Sequence, residues 1–127
     1  MTTALSTLRV LVVDDEPLIR WSVAETLGQA GYQVTEARDA AGAIQTLSAG
    51  PAPDVVLLDF RLPDSNDLTL LANVRRLAPS AAVVMMTALD APEVIAGAEA
   101  LGASRIVGKP IDMRDLPAIV RAAADSP

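Results

Sequence analysis

The stretch LRVLVVDDEPLIR, residues 8–20, runs four apolar residues, Val10 to Val13, directly into two adjacent acids, Asp14 and Asp15. An unbroken run of branched apolar side chains reads as a strand buried on both faces, as in a parallel sheet covered by helices. Pro17 follows at a position suited to the first turn of a helix, where a missing N–H costs nothing. The acids therefore sit between a buried strand and a helix. A carboxylate is costly to bury, so such a pair must face water, bind a cation or give up a charge.

The same alternation continues outward from this stretch. Strand-length apolar runs recur at YQVTEA (32–37), DVVLLD (54–59), AAVVMMT (81–87) and SRIVG (104–108). Helix-length segments separate them. Segment 17–30 carries Ile19, Val23 and Leu27 on one face and ends at Gly31, and segment 40–49 carries Ile44 and Leu47 and stops at Gly50-Pro51. Segment 67–78 has Leu70, Leu71, Val74 and Leu77 before Pro79, and segment 91–101 has Val94, Ile95, Ala98 and Leu101 before Gly102, a ready C-cap. The last, 113–124, has Leu116, Ile119 and Val120, with Pro117 early enough for a first turn. Five strands alternating with five helices predict an α/β fold: a parallel sheet with right-handed crossovers and helices on both faces.

Composition fits this reading. At 127 residues the chain suits one domain, and with 51% hydrophobic but only 2% aromatic residues its core must be built from Ala, Val, Leu, Ile and Met. A net charge of -6 argues against direct nucleic-acid binding by this domain. Without Cys there is no disulfide or thiol chemistry, and without His any metal site must use oxygen. The N-terminus MTTALST has no signal-peptide pattern and no apolar run is long enough for a membrane span, so a cytoplasmic protein with no membrane partner is expected.

Ligand sites in open parallel sheets lie beyond the carboxyl ends of the strands. Asp14 and Asp15 follow the first strand run, Asp59 ends the third, Thr87 ends the fourth and Lys109 follows the fifth. Three carboxylates without His or Cys form a hard-oxygen set that suits Mg²⁺, or Mn²⁺, better than Zn²⁺. One carboxylate can then attack phosphorus to give an acyl phosphate, with the metal, Lys109 and the Thr87 hydroxyl supplying alignment and charge neutralisation. A carboxylate nucleophile has no proton to lose, so the missing histidines are no obstacle.

The ordered motifs VVDDEP, LLDFRLPD, MMTA and GKP, each at the end of its strand run, resemble the receiver domain of bacterial two-component response regulators from Leu8 to Ala124. The resemblance implies a flavodoxin-like receiver fold with strand order 2-1-3-4-5. It bounds the receiver domain at residues 8–124, with an N-terminal tail at 1–7 and a C-terminal tail or linker start at 125–127. Asp59 would be the phosphoacceptor for a sensor histidine kinase or phosphotransfer protein. Asp15 would bind Mg²⁺ directly, Asp14 largely through water, and the Arg61 backbone carbonyl would be the remaining protein ligand. Thr87 would move to the phosphoryl group, beside the space left by Ala88, and Lys109 would pair with phosphate oxygens, its bond to Pro110 being a candidate cis peptide. The output would be a further domain or partner protein; the RLPD wording resembles receivers of transcriptional activators. A homodimer through the fourth helix and fifth strand is a further implication.

The chain also departs from the family pattern. Ile106 stands where many receivers carry Tyr or Phe, so any switch must use an aliphatic side chain. The turn after RLPD reads SNDL where a Gly is usual, so Asn66 or Asp67 is expected to take the left-handed conformation. Arg61 and Leu89 occupy positions that in the family tune the lifetime of the phosphoaspartate. Trp21 lies off the apolar face of its helix and is expected half-buried, with kinase docking the other reading; Ile95 and Ile106 read either as an output or dimer surface on the fourth helix and fifth strand or as core, and at least one is expected in the core. Two other functions remain open: a pseudo-receiver that binds partners without phosphate, and a hydrolase working through an aspartyl-phosphate. The hydrolase reading lacks an Asp two residues after Asp59 and a segment long enough to form a cap.

Overall fold

The computed structural model describes residues 7–65 and 67–125. Its elements alternate as β1 (Arg9–Val13), α1 (Pro17–Gln29), β2 (Gln33–Ala37), α2 (Ala40–Ala49), β3 (Val55–Asp59), α3 (Thr69–Leu77), β4 (Ala82–Thr87), α4 (Pro92–Ala100), β5 (Arg105–Gly108) and α5 (Leu116–Asp125). The strands form one parallel sheet in the order β2-β1-β3-β4-β5. The three inner strands are those whose sequences are unbroken apolar runs. β3 and β4 are buried throughout and β1 at every position but Arg9, whereas edge strands β2 and β5 are largely half-buried or exposed.

Successive side chains of a strand point to opposite faces, so each inner strand feeds two cores. Leu11, Val13, Val56, Leu58, Val83 and Met85 pack against α2, α3 and α4 through Ala43, Leu47, Leu71, Val74 and Ala98. Val10, Val12, Leu57, Val84 and Met86 pack against α1 and α5 through Val23, Leu27, Leu116 and Val120. The helices thus divide between the faces, α1 and α5 on one and α2 to α4 on the other.

Helix boundaries follow local chemistry. Gly31 and Gly102 take φ of 94° and 99° just past α1 and α4, the left-handed C′ position that a side chain would strain. α3 begins at Thr69 and not at 67: the Asp67 side chain accepts the Thr69 N–H at 2.9 Å, a local turn that leads into the N-cap, Leu68. α5 begins at Leu116 and not at 113, since Asp112 takes the Arg114 N–H at 2.9 Å and forms a turn before the helix.

Several expectations need correction. Trp21 is 58% exposed rather than half-buried, because it lies about 200° around the helix from Val23, on the face turned away from the sheet. Leu101 is 40% exposed, lying at the C-cap beyond the last buried residue of α4, Ala98. Among the described non-glycine residues a positive φ belongs to Leu89, at 62°. Asn66, residues 1–6 and residues 126–127 lie outside the described residues. Ile95 and Ile106 are both half-buried, and Ile106 packs against the core beneath α2 to α4.

Candidate metal site

β1 and β3 are parallel neighbours with Val13 opposite Leu58, so the next residues, Asp14 and Asp59, emerge side by side at the carboxyl ends of their strands. The chain leaves β1 for a helix on one face and β3 for a helix on the other, which opens a crevice between them. Asp14 and Asp59 are buried at its base, Asp15 is exposed at its rim, and one carboxylate oxygen from each lies within 4.8 Å of the others. Lys109 enters from β5. Its N–H donates to the Thr87 carbonyl at 2.8 Å, its peptide bond to Pro110 is cis, and its ammonium donates to Asp59 Oδ2 at 3.0 Å. Lys109 Nζ stands 4.0 Å from Asp14 Oδ2.

Asp14 is fixed by its surroundings. Its N–H donates to the Ala37 carbonyl at 3.1 Å, its carbonyl accepts from the Arg20 guanidinium at 2.8 Å, and its Oδ1 accepts the Glu16 N–H at 2.9 Å. Its Oδ2 is buried with no hydrogen-bond partner. A buried acceptor left in that state costs free energy, and two neighbouring carboxylates add repulsion. The donor set is all oxygen and one of its atoms is unsatisfied, which fits a hard divalent cation such as Mg²⁺.

Burial pushes the Asp59 carboxyl above its ordinary pKa, and the Asp14 charge adds to the rise. The hydrogen bond and charge of Lys109, and the Arg61 N–H donated to Asp59 Oδ1 at 3.2 Å, pull the other way without cancelling it. Burial lowers Lys109, but Asp59, Asp14 and Glu16 outweigh that and leave its pKa raised. The ion pair is therefore asymmetric: the ammonium gains from the site, whereas the Asp59 carboxylate is held there at a cost.

The structure brings Asp14, Asp15, Asp59 and Lys109 together, and sets Thr87, buried at the end of β4, beside β5 with Gly108 as its register partner. Arg61 joins the group through its N–H to Asp59. Sequence reasoning missed Arg20, which spans the Asp14 carbonyl and Glu36, the latter 3.1 Å away on β2. No local pattern signals that contact, because Glu36 arrives through the pairing of Val12 with Glu36 across β1 and β2.

Residues 10–121 match the family model described as the response regulator receiver domain. The chain belongs to this family of two-component signalling domains. Relatives are named as transcriptional regulators: KdpE of Mycobacterium tuberculosis is 37% identical over 90% of this chain and 50% of its own length. TcrX of the same species, a probable transcriptional regulatory protein, is 40% identical over 89% of this chain and 48% of its own. The chain spans about half the length of these curated relatives. Among solved structures, a CheY-like receiver domain protein from Methanospirillum hungatei aligns with a TM-score of 0.89 at 28% identity, covering 94% of this chain and 95% of that one. Five strands in the order 2-1-3-4-5 and five helices agree with the receiver fold expected from the motifs. No helix among the described residues is long and apolar enough to cross a membrane.

Proposed function

We propose that the chain accepts a phosphoryl group on Asp59 from the phosphohistidine of a sensor kinase or phosphotransfer protein. Phosphorylation then biases two arrangements of the segment after β4 and changes affinity for an output domain or partner protein. The observation that carries this reading is the gathering of Asp14, Asp15 and Asp59 around one point, with the buried Asp14 Oδ2 unsatisfied and Lys109 Nζ 3.0 Å from Asp59.

The three carboxylates and the Arg61 carbonyl would hold Mg²⁺. When bound, the cation neutralises the carboxylates and the phosphoryl oxygens as they approach one another. An oxygen of the Asp59 carboxylate attacks phosphorus; the P–N bond of the donor breaks as the P–O bond to Asp59 forms. Lys109 exchanges its contact with Asp59 for one with a phosphoryl oxygen, and the Thr87 hydroxyl donates to another. The exposed Leu89 and Leu101, with half-buried Ile95 on α4 and Ile106 on β5, would supply apolar surface for an output contact or a homodimer through α4 and β5.

Incubation with acetyl phosphate and Mg²⁺, read by intact mass, tests the proposal. One added phosphoryl group is expected in the wild type, none in Asp59→Asn and none with EDTA. An unmodified wild type refutes the reading. Ile106, aliphatic where an aromatic switch residue is common, supports a second reading as an interaction module that works without phosphate. Partner binding by Asp59→Asn indistinguishable from that of the wild type, with or without acetyl phosphate, would favour it.

A further inference from the structure

The loop between β3 and α3 carries Arg61, whose backbone carbonyl is the one proposed ligand without a side chain to adjust its position. Its direction is set by the loop backbone alone. That loop is pinned on both sides of Arg61. On one side the Arg61 N–H donates to Asp59 Oδ1 at 3.2 Å. On the other, Leu62 and Ser65 exchange backbone hydrogen bonds of 2.8 and 3.2 Å, closing a turn over Pro63 and Asp64, with Leu62 buried in the core.

Asp64 extends from the tip of this turn to a different element. Its Oδ1 accepts the Ala40 N–H at 2.8 Å and its Oδ2 the Ala41 N–H at 3.1 Å. These are the first two N–H groups of α2, which no carbonyl of that helix can reach. The local N-cap, Asp39, takes a different donor, the Gly42 N–H at 2.7 Å. Asp64 therefore completes the cap of α2 from 24 residues further along the chain. It does so with a charged carboxylate at the positive end of the helix, a favourable placement. α2 is itself seated on the sheet through Ala43 and Leu47. The turn is thus anchored to a packed helix and not only to its own backbone.

We infer that Asp64 is a positioning residue for the metal: by latching the turn to α2 it holds the Arg61 carbonyl in line with the three carboxylates. The inference rests on the proposed Mg²⁺ site. Mg²⁺ demands near-ideal geometry, so a ligand on a loosened loop loses affinity even when every donor atom is still present. A merely structural role makes a different prediction. If Asp64 only caps α2, its loss would act on the helix as the loss of Asp39 does and leave the metal indifferent.

The test is a Mg²⁺ titration of the full chain, followed by backbone amide resonances of Asp15 and Arg61, in the wild type, Asp64→Ala, Asp64→Asn and Asp39→Ala. Asp64→Ala is expected to raise the Kd about tenfold, at the lower end of what removing an orienting outer partner costs a metal site. Asp64→Asn, which keeps one acceptor oxygen, is expected to fall between it and the wild type, and decides alone should the alanine variant not fold. Asp39→Ala uncaps the same helix without touching the turn and should leave the Kd unchanged. Unaltered affinity in the Asp64 variants, or an equal loss in Asp39→Ala, overturns the inference while leaving the metal site standing. A wild type that binds no Mg²⁺ refutes the site itself.

Discussion

Replacing Asp14 by Asn should stabilise the metal-free protein and abolish most of its response to Mg²⁺. The wild-type carboxylate is 1% exposed, with Oδ2 unpartnered, 4.0 Å from the Lys109 ammonium and within 4.8 Å of carboxylate oxygens from Asp15 and Asp59. At an effective dielectric near 20 the Lys109 attraction is about 4 kcal/mol, and each carboxylate opposes it by about 3.5 kcal/mol. The charge is therefore net unfavourable by about 3 kcal/mol before solvent screening at exposed Asp15 reduces it. The orphaned oxygen adds about 1–3 kcal/mol. Asn keeps an oxygen for the Glu16 N–H and turns a donor toward the remaining acids. After discounting for solvent screening, a gain of about 2 kcal/mol is expected. For a chain of 127 residues that raises the Tm by about 7 °C. The wild type, in turn, should gain about 1.4 kcal/mol from Mg²⁺ at ten times its Kd, and the variant much less. Thermal unfolding by circular dichroism at pH 7, in EDTA and in MgCl₂, measures both differences. A variant no more stable than the wild type in EDTA refutes the reasoning, because the buried acids would then not be a source of instability awaiting a cation.

Three further outcomes follow from other parts of the structure. The Asp59 pKa is raised above its ordinary value of 3.8, so the folded state binds its proton more tightly than the unfolded chain does. The group therefore costs no stability well below 3.8 and an increasing amount as pH climbs through the raised value; denaturant melts should show Asp59→Asn more stable than the wild type at pH 7, the gap closing on acidification. Leu89, 49% exposed and at φ 62°, should be replaceable by Asn with a gain of about 1 kcal/mol in urea unfolding, since Asn tolerates the left-handed region. A loss of stability would show that its packing outweighs its strain. Leu57→Ala on β3, fully buried against α1 and α5, should cost about 2–5 kcal/mol in the same assay.

Periodicity and punctuation in the sequence were sufficient for the elements themselves. The unbroken runs at 9–13, 54–59 and 81–87 are the doubly covered inner strands, and the weaker run at 32–37 is an edge strand. Local burial demands leave a direct mark on composition, and glycine after α1 and α4 marks where a chain must turn left-handed. The acids could be placed at strand ends for the same reason, since a carboxylate after a buried run has few places to go. Strand order came from the resemblance to receivers and not from the pattern.

What tertiary structure alone decided is how neighbours in sequence part company and distant residues meet. Asp14 and Asp15 are adjacent, yet one is buried with an orphaned oxygen and the other exposed, because pairing of β1 with β3 carries Asp14 into the crevice beside Asp59. Arg20 reaches Glu36 only because β2 lies beside β1, and Asp64 reaches Ala40 and Ala41 only because the turn after β3 comes to the start of α2. Trp21 faces away from the sheet because α1 offers it a single buried stripe through Val23 and Leu27. A local pattern records whether a residue must be buried; which partner it then meets depends on strand register and helix placement, and those are set by the packing of the whole chain.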